Sequence, residues 1–427
     1  MLDYFQHLPP STNEFVNLPV LGKVALTRSV PVVAAERDPV FAHVDYQSRN
    51  DVPKFDLGHL FEAVNRLKTT VPPEPTTDAM QYAYEHCCHE YRDCFGRRIL
   101  EWGDLRKNVH SSPGFPFMVN HTSEQQLIED NPTIYTDWWY AMQKRSVLAP
   151  AYVFLKKALY PKEKIDDRRL RIIQGFPAPF IRCQQRFEKS FSDIVKASVD
   201  KHESQIGTTP FFGEFHHRIL RMRNRFPGQT TWWYDEDATN WDQSITPWMI
   251  AVYYRLIWDT LRYDQQTAPA LTLLHNLFQN VCYTVLVLTD GTVCRKIGGN
   301  PSGGGSTGEI NAVVNTFMKA LEFWYLNNEF SLGLSLREHA VFKTYGDDRF
   351  GVYTFKPNMV WSAQLYKRFG MTFRPQKQNL RTGPAGITFC GASAVYCLNI
   401  GFFVPRYDFD KVFSSVILPL NKPPSPE

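Results

Sequence analysis

The residues with the clearest capacity for chemistry are Tyr345-Gly346-Asp347-Asp348, led in by Ala340-Val341-Phe342 and followed by Phe350-Gly351-Val352-Tyr353. Apolar runs on both sides of a glycine predict strand, tight turn, strand, with two carboxylates at the tip. Glycine lets the backbone double back without a Cβ clash. Adjacent carboxylates repel unless a cation sits between them and a further donor, and hard oxygen ligands suit Mg²⁺ or Mn²⁺. Taken alone, the four residues fit a hairpin turn with solvated acids better. A second donor segment changes that balance. Residues 231–242 read Thr-Trp-Trp-Tyr-Asp-Glu-Asp-Ala-Thr-Asn-Trp-Asp. The aromatic run Trp232-Trp233-Tyr234 predicts a buried strand with Asp237 and Asp242 following at its end.

Carboxylates from two adjacent strands, holding two divalent ions, are what nucleotidyl transfer requires. The ions serve an attacking 3′-hydroxyl, a polarised α-phosphate and a leaving pyrophosphate. The elements that must position these acids are legible around them. Helices are expected from about Thr77 to Trp102, from Ile134 to Gln143, from Pro247 to about Arg262 and from Ala268 to Asn280. A hairpin turning at Asp290-Gly291 joins Tyr283–Leu288 to Thr292–Ile297, a strong turn signal. Residues 298–316 form a Gly-rich loop feeding a helix to about Leu326. The loop lacks the lysine of a P-loop, which excludes an ordinary nucleotide hydrolase. Further helices are expected at Met359–Phe369 and Tyr407–Val416, with a short hairpin at Phe389-Cys390-Gly391. Residues 1 to about 75 and Pro419–Glu427 are Pro-rich and irregular.

A basic stretch holds Lys156, Lys157, Lys162, Lys164, Arg168, Arg169 and Arg171 between strand-like ends. It reads equally as a basic ribbon over a phosphate-binding cleft and as a solvated charged hairpin. The net charge of +4 announces no global field for nucleic acid, so that case rests on local clusters. At 427 residues the chain needs two or three sub-domains. Eight scattered cysteines suit reduced thiols better than a disulfide framework. The run His86-Cys87-Cys88-His89 with Cys94 is better read as a helix face than as a zinc site, because adjacent cysteines point to different faces. The longest apolar run, near Val281 to Leu288, is far short of a membrane span, and the N-terminus shows no signal-peptide pattern.

From Ser111 to Gly391 the chain resembles the viral RNA-dependent RNA polymerases, most closely the picornavirus-like positive-strand group with its astrovirus- and calicivirus-like enzymes. The motifs stand in that family's order. Ser111-Ser112-Pro113-Gly114-Phe115-Pro116 resembles motif G, and the stretch ending Leu170-Arg171-Ile172-Ile173 resembles motif F. Asp237 with Asp242 resembles motif A, and Pro301-Ser302-Gly303 with Thr307 and Asn311 resembles motif B. Tyr345-Gly346-Asp347-Asp348 resembles motif C, and Phe389-Cys390-Gly391 resembles motif E.

The resemblance implies an α+β right-hand polymerase fold with an antiparallel palm sheet backed by helices. It implies fingers at 1–225, palm at 226–264 and 298–398, an insertion at 265–297 and a short or truncated thumb at 399–427. Asp237 and Asp347 would bind two Mg²⁺ ions (Mn²⁺ substituting), with Asp348 tuning the site through a weaker metal contact. Asp242 and Asn311, with Ser302 or Thr307, would hydrogen-bond the ribose 2′-hydroxyl. The plain alternatives are a helix N-cap before Pro247 for Asp242 and a helix-face amide for Asn311. Arg171 would hold the incoming triphosphate, with Lys156, Lys157, Lys162, Lys164 and Arg168 as further candidates. Ser302 and Gly303 would form a mobile loop beside the nascent pair. Ser111, Ser112, Gly114 and Pro116 would guide the template.

Two departures from the family pattern stand out. The motif D equivalent, Phe369 to Lys377, offers Lys377 as the proton donor to pyrophosphate, yet related enzymes often carry that lysine one residue further from the proline. A structural lysine on a solvated turn fits as well. The segment from Asn399 is short for a thumb. The implied function is RNA-templated RNA synthesis from ribonucleoside triphosphates, replicating a viral RNA genome. Template and product RNA are the implied partners, together with other replication proteins; initiation by a protein primer, an RNA primer or none stays open. The implied setting is the host cytoplasm, in membrane-associated complexes reached through partners, since the chain carries no anchor of its own. The competing readings are a reverse transcriptase and a catalytically inactive RNA-binding protein of the same fold.

Overall fold

The computed structural model describes residues 20–23, 49–51, 53, 57–67, 71–105, 108–373 and 379–418. Lys377, most of residues 1–56 and residues 419–427 lie outside the described residues.

Among the described residues, helices mix with four sheets in which nearly all strand pairs are antiparallel. The sheet that carries the acids runs Thr372–Phe373, Trp232–Thr239, Asp348–Tyr353, Ala340–Tyr345, and Asn379–Arg381 also pairs with Trp232–Thr239. Side chains alternate across the Trp232–Thr239 strand. Tyr234 and Ala238 join the main core, while Trp233 joins a second core with Phe350, Phe389 and Phe403. The main-core face is covered by the central helix Thr307–Phe330, buried on nearly every side from Ile310 to Phe323. A helix buried all round belongs inside a large core, and its buried Asn311, Asn315, Lys319 and Glu322 all have hydrogen-bond partners. The helix Pro247–Asp259 is similar. Pro247 opens it where no N–H partner is needed, and the Thr246 hydroxyl caps it by accepting from Met249 N.

A second sheet places Val20–Lys23, Thr292–Arg295, Val285–Val287, Ala151–Leu155 and Ile172–Gly175 side by side, with one parallel pair. The two strands of the basic stretch do pair antiparallel, Leu155 opposite Ile172, with a short helix Lys162–Asp166 in their connection. A third sheet, Thr388–Phe389, Ala392–Cys397 and Phe402–Tyr407, packs against the helix Glu214–Arg223.

The structure corrects several sequence expectations. The helix from Thr77 ends at Glu90 and gives way to a short 3₁₀ turn, with Gly96 at φ +82° beyond it. Asp237 lies inside its strand, which continues to Thr239. The helices Glu124–Asp130, Ala178–Ala197 and Glu214–Arg223 were not anticipated, and the helix Leu57–Asn65, which buries Leu60, Ala63 and Val64, breaks the stretch expected to be irregular up to about residue 75. Cys87 is buried and Cys88 half-buried on the Thr77–Glu90 helix, and all eight cysteines are free thiols. Among the described residues, no helix is long and apolar enough to cross a membrane.

Candidate active site

Strand register brings the acids together. Asp237 stands opposite Asp348, which in turn stands opposite Tyr345. Directly opposed residues share a face, with Cβ atoms about 5 Å apart. Gly346 and Asp347 make the two-residue turn. Gly346, at φ +64°, supplies the positive φ that a tight hairpin turn takes at its first central position. The central helix holds this turn from behind, where Asn315 Nδ2 donates to Gly346 O at 2.7 Å. Like charges placed opposite one another destabilise a strand pair. The donor set of Asp237, Asp347 and Asp348 is all hard oxygen and fits Mg²⁺ or Mn²⁺, ions that take one or two carboxylates and complete their shell with water and phosphate. Among the described residues no three carboxylate, imidazole or thiolate groups form a preassembled cage.

Asp242 sits in the short helix Trp241–Ser244, just beyond Asn240 at φ +54°. It does not cap the helix at Pro247, since Thr246 does. Asn311 Nδ2 donates to Asp242 Oδ1 at 2.8 Å, and Asn311 Oδ1 accepts from Asn300 Nδ2 at 2.8 Å. Asn311 is therefore a buried connector and not a surface amide. Burial pushes the Asp242 carboxyl above its ordinary range; the Asn311 bond pulls it down and nearby Asp347 raises it again. Asn300 N also donates to Asp242 O at 2.6 Å. The buried Lys296 ammonium donates to Gly298 O at 2.8 Å and Gly299 O at 2.6 Å, fixing the entry to the Gly-rich loop. Burial lowers its pKa to about 7.

The basic stretch reaches this cluster through Arg171 and Lys156. Arg171 lowers the Asp242 carboxyl. Lys156 is lowered by burial and by Arg171 and raised by Asp242. Lys157 and Arg168 are exposed, and Lys162 and Lys164 ride on the short helix of the connection. Arg169 pairs with Glu163 and Asp167.

Two loops dock on the Ile172–Gly175 strand and the turn after it. Gln174 N donates to Ser302 O at 2.8 Å. Gly303, at φ +118°, lies so close that a Cβ would stand 2.8 Å from Gln174 O. Thr307 Oγ1 closes the loop internally, donating to Pro301 O at 2.7 Å. On the other side Ala178 N donates to Pro113 O at 2.8 Å, and a Cβ on Gly114 would clash with Phe176 O. Ser111, Ser112 and Pro116 are exposed on that loop.

Sequence reasoning missed Gln174, Lys296, Asn300 and Asn315. The pair Asn311 and Asn315, four apart on one helix, was the available signal, since amides set among apolar residues on a buried helix need a partner.

Residues 74–397 match the family model described as viral RNA-dependent RNA polymerase. Among curated proteins, the chain is similar to the non-structural polyprotein 1AB of Turkey astrovirus 1, with 26% identity over 355 residues covering 81% of this chain and 22% of that protein. It is 29% identical over 413 residues to the polyprotein of that name from Ovine astrovirus 1, covering 91% of this chain and 30% of the relative. For Avian nephritis virus 1 the identity is 25% over 442 residues, covering 96% and 28%. The chain spans less than a third of the length of these relatives.

Proposed function

Because the chain belongs to the viral RNA-dependent RNA polymerase family, we propose that it carries out RNA-templated RNA synthesis by two-metal-ion nucleotidyl transfer and so replicates a viral RNA genome. The observation that carries this reading is the register that sets Asp237 opposite Asp348, with Asp347 in the adjoining turn. Family members use divalent ions; here Mg²⁺, with Mn²⁺ able to substitute, would activate the 3′-hydroxyl and neutralise the transferring phosphate. Asp237 and Asp347 hold the ions, and Asp348 steadies them from the opposing strand. Arg171 and Lys156 take the triphosphate on the Asp242 side. Asp242, oriented by Asn311, accepts from the ribose 2′-hydroxyl, so a deoxynucleotide leaves a buried polar pair unmatched. The loop at Ser302 and Gly303 borders the nascent pair, and the loop from Ser111 to Pro116 guides the template.

In this reading the fold is a right hand. The acid-bearing sheet and central helix are its palm, residues 1–225 and 265–297 supply the fingers, and 399–427 belong to the thumb. Template and product RNA and ribonucleoside triphosphates are the substrates. Other replication proteins are partners and bring the enzyme to membrane-associated complexes in the host cytoplasm; initiation uses a protein primer, an RNA primer or none.

Primed extension on a defined RNA template tests the reading, with ribo- or deoxynucleotides, Mg²⁺ or Mn²⁺, and Asp347→Ala beside the wild type. Ribonucleotide products from the wild type alone are expected, with the variant's melting temperature near that of the wild type. Continued synthesis by the variant, or a preference for deoxynucleotides, overturns it.

A further inference from the structure

Lys296 is only 1% exposed. Among the described residues its ammonium donates to carbonyl oxygens alone, those of Gly298 and Gly299 and, at 3.4 Å, that of Val281. A charge withdrawn from water without a bonded counter-ion weakens the fold. Methionine would fill the same space without that cost. What the ammonium adds is a hold on two successive carbonyls.

Those carbonyls belong to a turn that is fastened to both halves of the Asp242–Asn311 pair. Gly298 and Gly299 take φ +67° and +70°. Gly299 N donates to Ile245 O at 2.6 Å and Asn300 N to Asp242 O at 2.6 Å, which ties the turn to the backbone carrying Asp242. The Asn300 side chain reaches the other half. Its Nδ2 donates to Asn311 Oδ1 at 2.8 Å and to Thr307 O at 2.7 Å. Asn311 Nδ2 then closes the circuit on Asp242 Oδ1. Asn300 and Asn311 are both buried, so each amide is aimed by protein groups and not by water. A shift of the turn moves Asn300, and through it the amide that orients the Asp242 carboxylate.

The hold depends on charge. An ammonium offers three donors and no acceptor, whereas the neutral amine has one donor fewer and a lone pair that opposes a carbonyl oxygen. Burial lowers the Lys296 pKa to about 7. Two groups face it from neighbouring elements, Asp242 from the helix Trp241–Ser244 and the Cys282 thiol from the helix Ala268–Cys282, and both favour the charged form. Burial pushes Cys282 itself up to about 12 and raises the Asp242 carboxyl.

We propose that Lys296 is a positioning residue for sugar selection: by holding the Gly298 and Gly299 carbonyls it sets Asn300, and with it Asn311 and Asp242, in place for the ribose 2′-hydroxyl. The assignment rests on the polymerase reading above and requires no contact between Lys296 and the nucleotide.

The test uses the full chain as wild type, Lys296→Met and Asn300→Ala. Primed extension on a defined RNA template is measured with a ribonucleotide or its deoxy counterpart, below and above pH 7. Amide hydrogen exchange of residues 298–300 and the melting temperature are followed in parallel. For Lys296→Met the ratio of kcat/KM for ribo- over deoxynucleotide is expected to fall about tenfold, with the loss on the ribonucleotide. Exchange at Gly299 and Asn300 quickens while that of the helix Pro247–Asp259 holds, and the melting temperature holds or rises. The wild-type ratio falls as pH rises through about 7, and Lys296→Met loses that step. Asn300→Ala, which keeps the ammonium and cuts the link to Asn311, lowers the ratio too. A wild-type ratio in Lys296→Met overturns the proposal. So does an equal loss for both sugars with a lower melting temperature, which marks a structural lysine. If Lys296→Met does not fold, a wild-type ratio in Asn300→Ala overturns it instead. If the wild type extends no primer with either nucleotide, the polymerase reading falls, while exchange at residues 298–300 still decides whether Lys296 holds the turn.

Discussion

Arg349 and Glu236 stand directly opposite one another on paired strands, with Arg349 Nε donating to Glu236 Oε2 at 2.9 Å and Nη2 donating to the same oxygen. Both are buried, and each precedes or follows one of the opposed acids, Asp237 and Asp348. A slip of one residue would turn every side chain to the other face, so this ion pair on the core side fixes the register that joins the acids on the other. Arg349→Met, which leaves Glu236 buried and unmatched, is expected to lose about 3–5 kcal/mol of stability together with polymerase activity. The double variant Glu236→Leu, Arg349→Met should regain most of the stability. Urea unfolding of the three proteins decides it; a double variant as weak as the single one would assign the register to other contacts.

Asp242 and Asn311 are expected to set the choice of sugar. Removing the Asp242 carboxylate with Asp242→Ala frees the Asn311 amide and ends the penalty for a missing 2′-hydroxyl. The ratio of kcat/KM for a ribonucleotide over its deoxy counterpart should fall at least about tenfold, or roughly 1.4 kcal/mol. An unchanged ratio would move sugar selection away from this pair.

Gly303→Ala should be costly because the new methyl meets backbone, 2.8 Å from Gln174 O, at φ +118°. Strain of this kind costs about 1–3 kcal/mol, and the Gln174 to Ser302 bond is the contact most exposed to it. Gly383→Ala is the control, since a Cβ there meets nothing within 4 Å. A lower melting temperature and slower extension are expected for the first variant and little change for the second.

Glu188 provides a pH signature. Its Oε2 accepts from Tyr253 Oη at 2.8 Å and from Ser306 Oγ, at the foot of the Gly-rich loop. Burial pushes its carboxyl up to about 7 from an ordinary 4.5. The folded protein therefore holds this proton more tightly than the unfolded chain. The stability it contributes is fully present below pH 4.5 and is lost as pH rises through 7. Against Glu188→Gln, the wild type should lose about 3 kcal/mol of relative stability across that window, measured by denaturant titration. A flat difference would place the Glu188 proton elsewhere.

The parts of the site legible in the sequence are those specified locally. The turn at Gly346, the Asp290-Gly291 hairpin and the Gly-rich loop before the central helix depend on neighbours a few residues away. The partnership of Asp242 with Asn311 was legible only through family resemblance, because 69 residues separate them. The long helix Ala178–Ala197 was overlooked although Phe180, Phe187 and Phe191 recur on one face, which also buries Arg182, Gln184 and Glu188. The apolar stripe was nonetheless present in both Ala178–Ala197 and Glu214–Arg223, and the charged residues sharing it drew attention away from a helix. Gln174 acts through its backbone N–H, which no residue type advertises.

The docking of two loops along residues 174–178 has a pharmacological consequence. Ser302 O and Pro113 O accept from Gln174 N and Ala178 N, so both loops are seated on one short piece of backbone. A small molecule lodged beneath the Pro113–Pro116 loop has no need to compete with nucleotide, because by shifting this backbone it also unseats Ser302. Inhibition of that type is insensitive to nucleotide concentration, and substitutions conferring resistance would arise in either loop, including the one the compound never touches.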